Sequence, residues 1–231
     1  MELLRDSILS ALLLIWSLDP ELLFVVWVSL KVSLASTLIA GLVGVPSGFL
    51  LVFREFRGKR FLTTVFNTLL AVPTVVVGLF VYTFISRRGI FGPLDLLYSQ
   101  KAIVLGQVLF IIPLVVVFTA AAVSRIDDRY RKTALTLGAS KLQAALVILR
   151  EARFGLVAAL TAAFGRVIAE VGVSMMLGGN IKGFTRTMTT AMALEYDKGE
   201  FVLAVALGLI LLAVSFALNF SLGYLQGRAR A

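Results

Sequence analysis

The chain has 231 residues, of which 59% are hydrophobic and only 15% are charged, and its formal net charge is +9. Soluble domains carry about 25% charged residues, so this composition and a mean hydropathy of +0.98 indicate a membrane protein. The sequence contains neither cysteine nor histidine, which excludes disulfides, thiolate metal sites and the commonest general base. We therefore expect no catalytic residues, no metal site and no cofactor bound by this chain.

The N-terminal segment, residues 1–21, contains an apolar run that is too short to cross a membrane. The run covers residues 7–18 and follows Glu2, Arg5 and Asp6. We expect a helix lying at the membrane interface. A signal peptide is the alternative, but the acidic start and the lack of a small-residue cleavage site argue against it.

Apolar runs that are long enough to cross a membrane follow along the rest of the chain. A bilayer core of about 30 Å requires roughly 20 apolar residues in a helix. Five runs reach this length, and the predicted spans are 22–53, 61–85, 102–123, 154–177 and 201–225. The sequence thus predicts an all-α polytopic membrane protein with a five-helix domain over residues 22–225.

Three prolines lie within these spans, at positions 46, 73 and 113. Proline lacks a backbone N–H group and its ring crowds the preceding turn, so each can kink its helix. We find no spaced internal repeat, which argues against a secondary transporter built from inverted halves. A self-sufficient channel or secondary transporter stays open as an alternative class.

Five spans place the termini on opposite sides, and the basic residues are distributed unequally between those sides. One side holds 13 basic and 4 acidic residues, in segments 54–60, 124–153 and 226–231. The other side holds 7 basic and 8 acidic residues, in segments 1–21, 86–101 and 178–200. Basic residues concentrate on the cytoplasmic side, so we expect the N-terminus outside and the tail 226–231 in the cytoplasm. The charge accounts for topology and gives no indication of nucleic acid binding.

A charged, alanine-rich segment, residues 125–153, lies between the third and fourth spans. Its apolar residues recur at helical spacing, at Leu135, Ala139, Leu142, Leu146 and Leu149. A glycine inside a helix costs about 1 kcal/mol relative to alanine, so Gly138 predicts a turn between two short helices. An ordinary interfacial loop and a docking element both fit this pattern.

Ala134, Gly138 and Ile148 match the pattern Glu-Ala-Ala, three residues, Gly, nine residues, Ile, one residue, Leu-Pro. This pattern is the EAA loop of ABC-importer permeases, which the segment resembles. Four positions depart from it: Lys132, Thr133, Arg150 and Glu151.

Further segments extend the resemblance along nearly the whole chain. They are Ser29–Ser33, Pro73–Gly78, Arg87–Gly92, Arg166–Gly172, Gly179–Thr187, Thr185–Glu195 and Lys198–Phe201. The chain is similar to MetI-like permeases of the molybdate, sulfate and tungstate branch, and the last two segments most resemble tungstate permeases.

The resemblance implies a permease subunit for an oxyanion, tungstate first, with molybdate or sulfate as alternatives. It implies a bacterial or archaeal inner membrane, a second copy of the chain, a periplasmic binding protein and a cytoplasmic ATPase dimer. The chain has no Gly-x4-Gly-Lys-Ser/Thr loop, so ATP and Mg would be held by that ATPase. The residues expected to couple to it are Arg131, Lys132, Ala134, Gly138, Ala139, Lys141 and Leu142.

Charged residues inside the predicted spans are candidates for the translocation path or the dimer interface. Arg166 and Glu170 are four residues apart and so share one helix face. Charged side chains at membrane depth usually face a bundle interior or a cavity. Lys31 lies some nine residues inside the first span, where it lines the path or extends its ammonium group towards the surface.

The segment 178–200 contains one arginine among four threonines. Hydroxyl groups and a guanidinium can bind a tetrahedral oxyanion, but we favour a periplasmic docking and gating element. The candidate residues are Gly179, Asn180, Thr185, Arg186 and Thr187.

Overall fold

The computed structural model describes residues 2–228, and in that part of the chain it contains α-helices, one short 3-10 turn at Gly92–Leu94 and no strand. The predicted all-α class is confirmed. The helices are α1 Glu2–Trp16, α2 Pro20–Phe53, α3 Lys59–Leu69, α4 Thr74–Ile85, α5 Gln100–Ser124, α6 Asp128–Thr136, α7 Lys141–Glu151, α8 Arg153–Ile168, α9 Gly172–Gly178, α10 Met188–Lys198 and α11 Phe201–Arg228.

The central element is a parallel pair formed by α2 and α5. The Ser36 hydroxyl donates to Gln107 Oε1 over 2.8 Å, and the two residues are 71 positions apart. Gly48 and Thr119 have the same separation, and a Cβ on Gly48 would lie 2.8 Å from the Thr119 Cβ. A constant offset means that the two helices run in the same direction. Small residues on α2 allow this close approach, as is common between membrane helices.

A buried polar contact ties this pair to α9. The Gln107 amide group also donates to Ser174 Oγ over 3.3 Å. Ser36, Gln107 and Ser174 are each at most 1% exposed. Because no water is available at membrane depth, each polar group must find its partner within the protein, so this contact fixes the mutual register of the three helices.

Two of the predicted spans are each formed by a pair of helices. The axes of α3 and α4 differ by 101°, and those of α8 and α9 by 59°. Pro73 lies immediately before α4, where its missing N–H group and its fixed φ interrupt the helix. Pro46 and Pro113, in contrast, lie inside continuous helices.

In the described residues, α2, α5 and residues 201–221 of α11 are long and apolar enough to cross a membrane. The total reaches five if each bent pair forms one span. The apolar runs over 61–85 and 154–177 are thus each interrupted by a bend, the first of them at Pro73, where the sequence allows a kink; the count of five spans stays a prediction.

The bundle has two ends, which we call the Gln100 end and the Ser124 end after the first and last residues of α5. At the Gln100 end, the Tyr98 N–H donates to the Leu177 carbonyl at the end of α9. The segment α6–α7 follows α5 and therefore lies at the Ser124 end. The 25 residues of α5 extend over about 37 Å, slightly more than the hydrocarbon core.

The N-terminal helix α1 packs along α11. Ala11 on α1 and Ala206 and Leu207 on α11 are fully buried in one apolar cluster. An interfacial position for residues 1–21 stays a prediction. In contrast, only 11% of the apolar stretch of α11 that could cross the membrane is buried, and α3 has no buried residue. Both helices therefore present apolar side chains to the surroundings.

Candidate coupling and translocation sites

Gly138 forms the turn between α6 and α7. Its φ is +85°, a left-handed conformation that glycine adopts without strain. Ser140 then begins α7 with a capping box, in which its hydroxyl accepts from the Gln143 N–H and its own N–H donates to Gln143 Oε1. The turn predicted at this glycine is confirmed.

The surface around this turn is apolar and open. Leu137 is 81% exposed and Leu142 is 71% exposed. An open cavity of about 560 Å³ adjoins Leu137 and is lined by Arg129, Tyr130, Thr133, Ala134, Leu137, Ala139 and Val147. Large exposed apolar side chains beside a preformed cavity are typical of a protein contact surface. Tyr130 and Leu137 are not among the coupling residues predicted from the sequence. The position of Leu137, a large apolar residue directly before a turn glycine, could have indicated it.

The predicted basic residues of this segment differ in their surroundings. The guanidinium of Arg131 stacks on the Phe53 ring at 4.7 Å and so holds α6 against the end of α2. Lys132 pairs with Asp128 one turn earlier, over 2.9 Å. The hydrogen bond from Lys132 lowers the pKa of the Asp128 carboxyl, and the same bond raises the pKa of Lys132. Both groups therefore stay charged throughout the physiological pH range, and Lys141 is exposed to solvent on α7.

Arg166 and Glu170 form the predicted ion pair, which is confirmed. Arg166 Nη1 lies 3.3 Å from Glu170 Oε2, and the side chains are 47% and 3% exposed, respectively. The Arg166 guanidinium also stacks on the Phe110 ring of α5 at 4.7 Å. The carboxylate is thus enclosed within the bundle, while the guanidinium faces open space.

Glu170 also occupies the break between α8 and α9. Its Oε1 accepts from the Val173 N–H over 3.3 Å, and its backbone carbonyl accepts from the Thr189 hydroxyl of α10 over 2.8 Å. A Cβ added to Gly172 would lie 2.9 Å from the Thr74 hydroxyl, so the first turns of α4 and α9 adjoin each other here. Glu170 therefore joins three helices at the point where both bent pairs change direction. No spacing in the sequence reveals the Thr74 and Thr189 neighbours.

Most of the predicted docking residues near the Gln100 end bond to their own segment. Gly179 adopts φ +69° after α9, and the Asn180 amide donates to the Thr190 carbonyl over 3.2 Å. The Thr185 hydroxyl donates to the Gly178 carbonyl over 2.6 Å. The Thr187 hydroxyl caps α10. Because these contacts engage both hydroxyl groups, they favour a role in holding the segment in shape over direct contact with an anion.

Arg186 lies buried between two carboxylates. Its Nη1 is 3.6 Å from Glu21 at the start of α2 and 3.8 Å from Glu195 on α10. In the described part of the chain its Nε has no hydrogen-bond partner. The residue is 9% exposed, so its charge acts mainly inside the protein, where it joins the segment 178–200 to α2.

Lys31 lies far from the Arg166 pair. Its Nζ donates to Gln100 Oε1 over 3.1 Å, at the first residue of α5. Arg166 stacks on Phe110, which is ten residues, or about 15 Å, further along α5. Lys31 appears deep in the first span by sequence position because α2 extends about three turns beyond the start of α5.

Comparisons with known proteins agree with this architecture. Residues 37–231 match the family described as binding-protein-dependent transport system inner membrane component. The tungstate uptake system permease protein TupB of Peptoclostridium acidaminophilum is 38% identical over 98% of this chain and 99% of its own length. The protein of the same name from Campylobacter jejuni is 39% identical over 93% of this chain and 90% of its own length.

Among solved structures, an inward-facing MetNI methionine ABC transporter has a similar fold. The TM-score is 0.71 at 18% identity, with coverage of 88% of this chain and 94% of that chain. This likeness confirms the predicted MetI-like fold class. With the family match over most of its length, the chain belongs to the inner membrane components of binding-protein-dependent transport systems, the permeases of ABC importers.

Proposed function

We propose that this chain is the permease subunit of an ATP-driven importer of tungstate. The observation that carries this proposal is the end-to-end similarity to two tungstate uptake permeases. Molybdate and sulfate are oxyanions of the same charge and tetrahedral shape, and they are the competing substrates that a test must separate.

Coupling to ATP hydrolysis is assigned to the α6–α7 turn. In this proposal the Ser124 end faces the cytoplasm, where the basic loops are concentrated. The surface that contains the exposed Leu137 and Leu142 and the cavity beside Leu137 docks into a cleft of a separate ATPase subunit. Closure of an ATPase dimer on ATP would then move two permease copies between inward-facing and outward-facing states.

The translocation path is assigned to the space beside Arg166. A half-exposed guanidinium on a membrane helix requires a polar or aqueous neighbour, and a path between two copies of the chain supplies one. Glu170 neutralises most of its charge, so an anion experiences only weak attraction at this point. Weak attraction suits transit, whereas tight capture belongs to a separate binding protein at the Gln100 end.

The test is reconstitution of the permease with its ATPase and binding protein in lipid vesicles. We expect tungstate to stimulate ATP hydrolysis and to accumulate inside, and molybdate and sulfate to do so at higher concentrations only. Stimulation by sulfate or molybdate at lower concentrations than tungstate would reassign the substrate. Anion flux through the permease alone, without ATP, would overturn the importer proposal in favour of a channel or secondary transporter.

A further inference from the structure

One face of α2 carries a pattern of exposed side chains that is typical of contact with lipid. Trp27, Leu34, Leu38 and Leu42 are 62%, 53%, 58% and 77% exposed, respectively. Together with the exposed Lys31, they follow one another at steps of three and four residues and therefore share one helix face. Tryptophan concentrates at membrane interfaces, and exposed leucines face acyl chains. Lys31 therefore lies between the membrane interface at Trp27 and the region of the acyl chains at the leucines.

The length of α2 supports this level for Lys31. From Lys31 to Phe53 at the end of α2, the helix rises about 33 Å, close to the thickness of the hydrocarbon core. The contact between Lys31 and Gln100 places the ammonium group beside the first residue of α5, which is itself one membrane thickness from Ser124. The Lys31 Nζ therefore lies at the level of the lipid headgroups at the Gln100 end.

A cavity of about 690 Å³ opens at this level, with Lys31, Ser99, Lys101, Leu94 and Phe184 among its lining residues. Gln100 holds the cavity in shape, because it accepts from Lys31 and donates to the Phe184 carbonyl over 2.6 Å. In the described part of the chain, neither lysine has a carboxylate within 4.0 Å; Asp95 is the one acidic residue in the lining. With two lysines and one aspartate in its lining, the cavity carries a net formal charge of +1.

We propose that this cavity binds the phosphate group of an anionic phospholipid in the leaflet at the Gln100 end. Lys31 and Lys101 pair with the phosphate, and the acyl chains lie along Leu34, Leu38 and Leu42. A bound lipid would thereby connect α2, α5 and the segment that contains Phe184. A free oxyanion shares the phosphate chemistry but has no use for a leucine stripe on the same helix face as Lys31, which is why the lipid is the occupant.

The test uses the purified protein and native mass spectrometry in mixtures of phosphatidylglycerol and phosphatidylcholine. We expect the wild type to retain phosphatidylglycerol selectively and the double variant Lys31→Gln/Lys101→Gln to bind it about thirtyfold more weakly, since two lysines at the membrane surface are lost. Arg87→Gln/Arg88→Gln is the matched control, because it removes two exposed positive charges at the same end, outside this cavity, and should bind like the wild type. Equal retention by all three proteins would overturn the proposal.

A second arm separates lipid from free anion. Lipid-depleted protein in neutral detergent is titrated with inorganic phosphate, and we expect no binding that depends on the two lysines. Phosphate binding that is present in the wild type and lost in the double variant would overturn the lipid assignment. If the double variant does not fold, Lys101→Gln alone changes one exposed residue in the first turn of α5 and should weaken phosphatidylglycerol binding about fivefold; unchanged binding would count against the proposal.

Discussion

Gly138 has a conformational role that few other residues could fill. At φ +85° a side chain is strained, yet no heavy atom lies within 4 Å of a Cβ built at this position. A substitution there would strain the turn by about 1–2 kcal/mol and would project a new side chain into the proposed contact surface. A substitution of Gly138 would therefore affect both the backbone of the turn and the proposed contact surface.

We predict that Gly138→Arg abolishes tungstate-stimulated ATP hydrolysis in the assembled importer, because the arginine occupies the space that the ATPase cleft would enclose. Gly58→Arg is the matched control. Gly58 has φ +94°, has no neighbour within 4 Å of a built Cβ, and lies directly before α3. The two variants carry the same strain and the same added charge. Wild-type stimulation in Gly138→Arg, or an equal loss in both variants, would contradict the coupling assignment.

For Glu170, the sequence predicts only some of the contacts that the residue makes. Helical spacing predicts its pairing with Arg166 because both residues belong to one helix. Its contacts with Val173 and Thr189 depend on a helix break and on a neighbouring helix, and no local pattern reports those. Gly138, in contrast, was predictable because the cost of glycine within a helix is a local property of the chain.

At the scale of elements, hydropathy predicts where apolar helices lie but not whether they are straight. Mean hydropathy stays high across Pro73 and across residues 169–171, so each bent pair reads as one continuous run. The prolines do not settle the shape, since Pro46 and Pro113 remain within continuous helices while Pro73 precedes a break. The surrounding packing decides which proline interrupts a helix, and that information is not local.

The close contact of α2 and α5 leads to a prediction about stability. A Cβ on Gly48 would lie 2.5 Å from the Val116 carbonyl oxygen, so Gly48→Ala forces two backbones apart. We expect a loss of about 1–3 kcal/mol, seen as a lower apparent melting temperature in detergent. Gly165→Ala on α8 is the control, because nothing lies within 4 Å of its Cβ, and it should be neutral or stabilising by up to about 1 kcal/mol. Similar melting temperatures for the two variants would show that the contact between α2 and α5 tolerates a wider separation of the two helices.

At the scale of the whole molecule, one copy exposes a large apolar surface to its surroundings. Little of the apolar stretch of α11 that could cross the membrane is buried. The helix α3 has no buried residue, and it carries Thr64 and Asn67 beside Leu62 and Phe66. Lipid can cover the apolar side chains, and Thr64 and Asn67 each donate to a backbone carbonyl one turn earlier on α3 over 2.9 Å. The fold class and the number of apolar runs were predictable from composition and length, whereas the partner of such a face lies outside the chain.

The orientation of the chain stays a prediction from its charges, and it is open to a direct test because the sequence has no cysteine. Single cysteines can therefore be labelled without background. Arg57 and Arg129 are exposed residues of the strongly basic loops, and Arg88 and Lys182 are exposed residues of the opposite side. The positive-inside bias places the first two in the cytoplasm.

We predict that a membrane-impermeant maleimide labels Arg88→Cys and Lys182→Cys in intact cells. The same reagent should label Arg57→Cys and Arg129→Cys only after the cells are permeabilised. Arg57 and Arg88 lie directly before and after the bent pair α3–α4. Arg129 lies on α6, ahead of α7 and the bent pair α8–α9, and Lys182 follows that pair. Labelling of both members of either couple from one side would mean that the bent pair returns to its side of entry as a re-entrant loop. Opposite labelling in both couples would establish that each bent pair crosses the membrane once, which is what a span count of five requires.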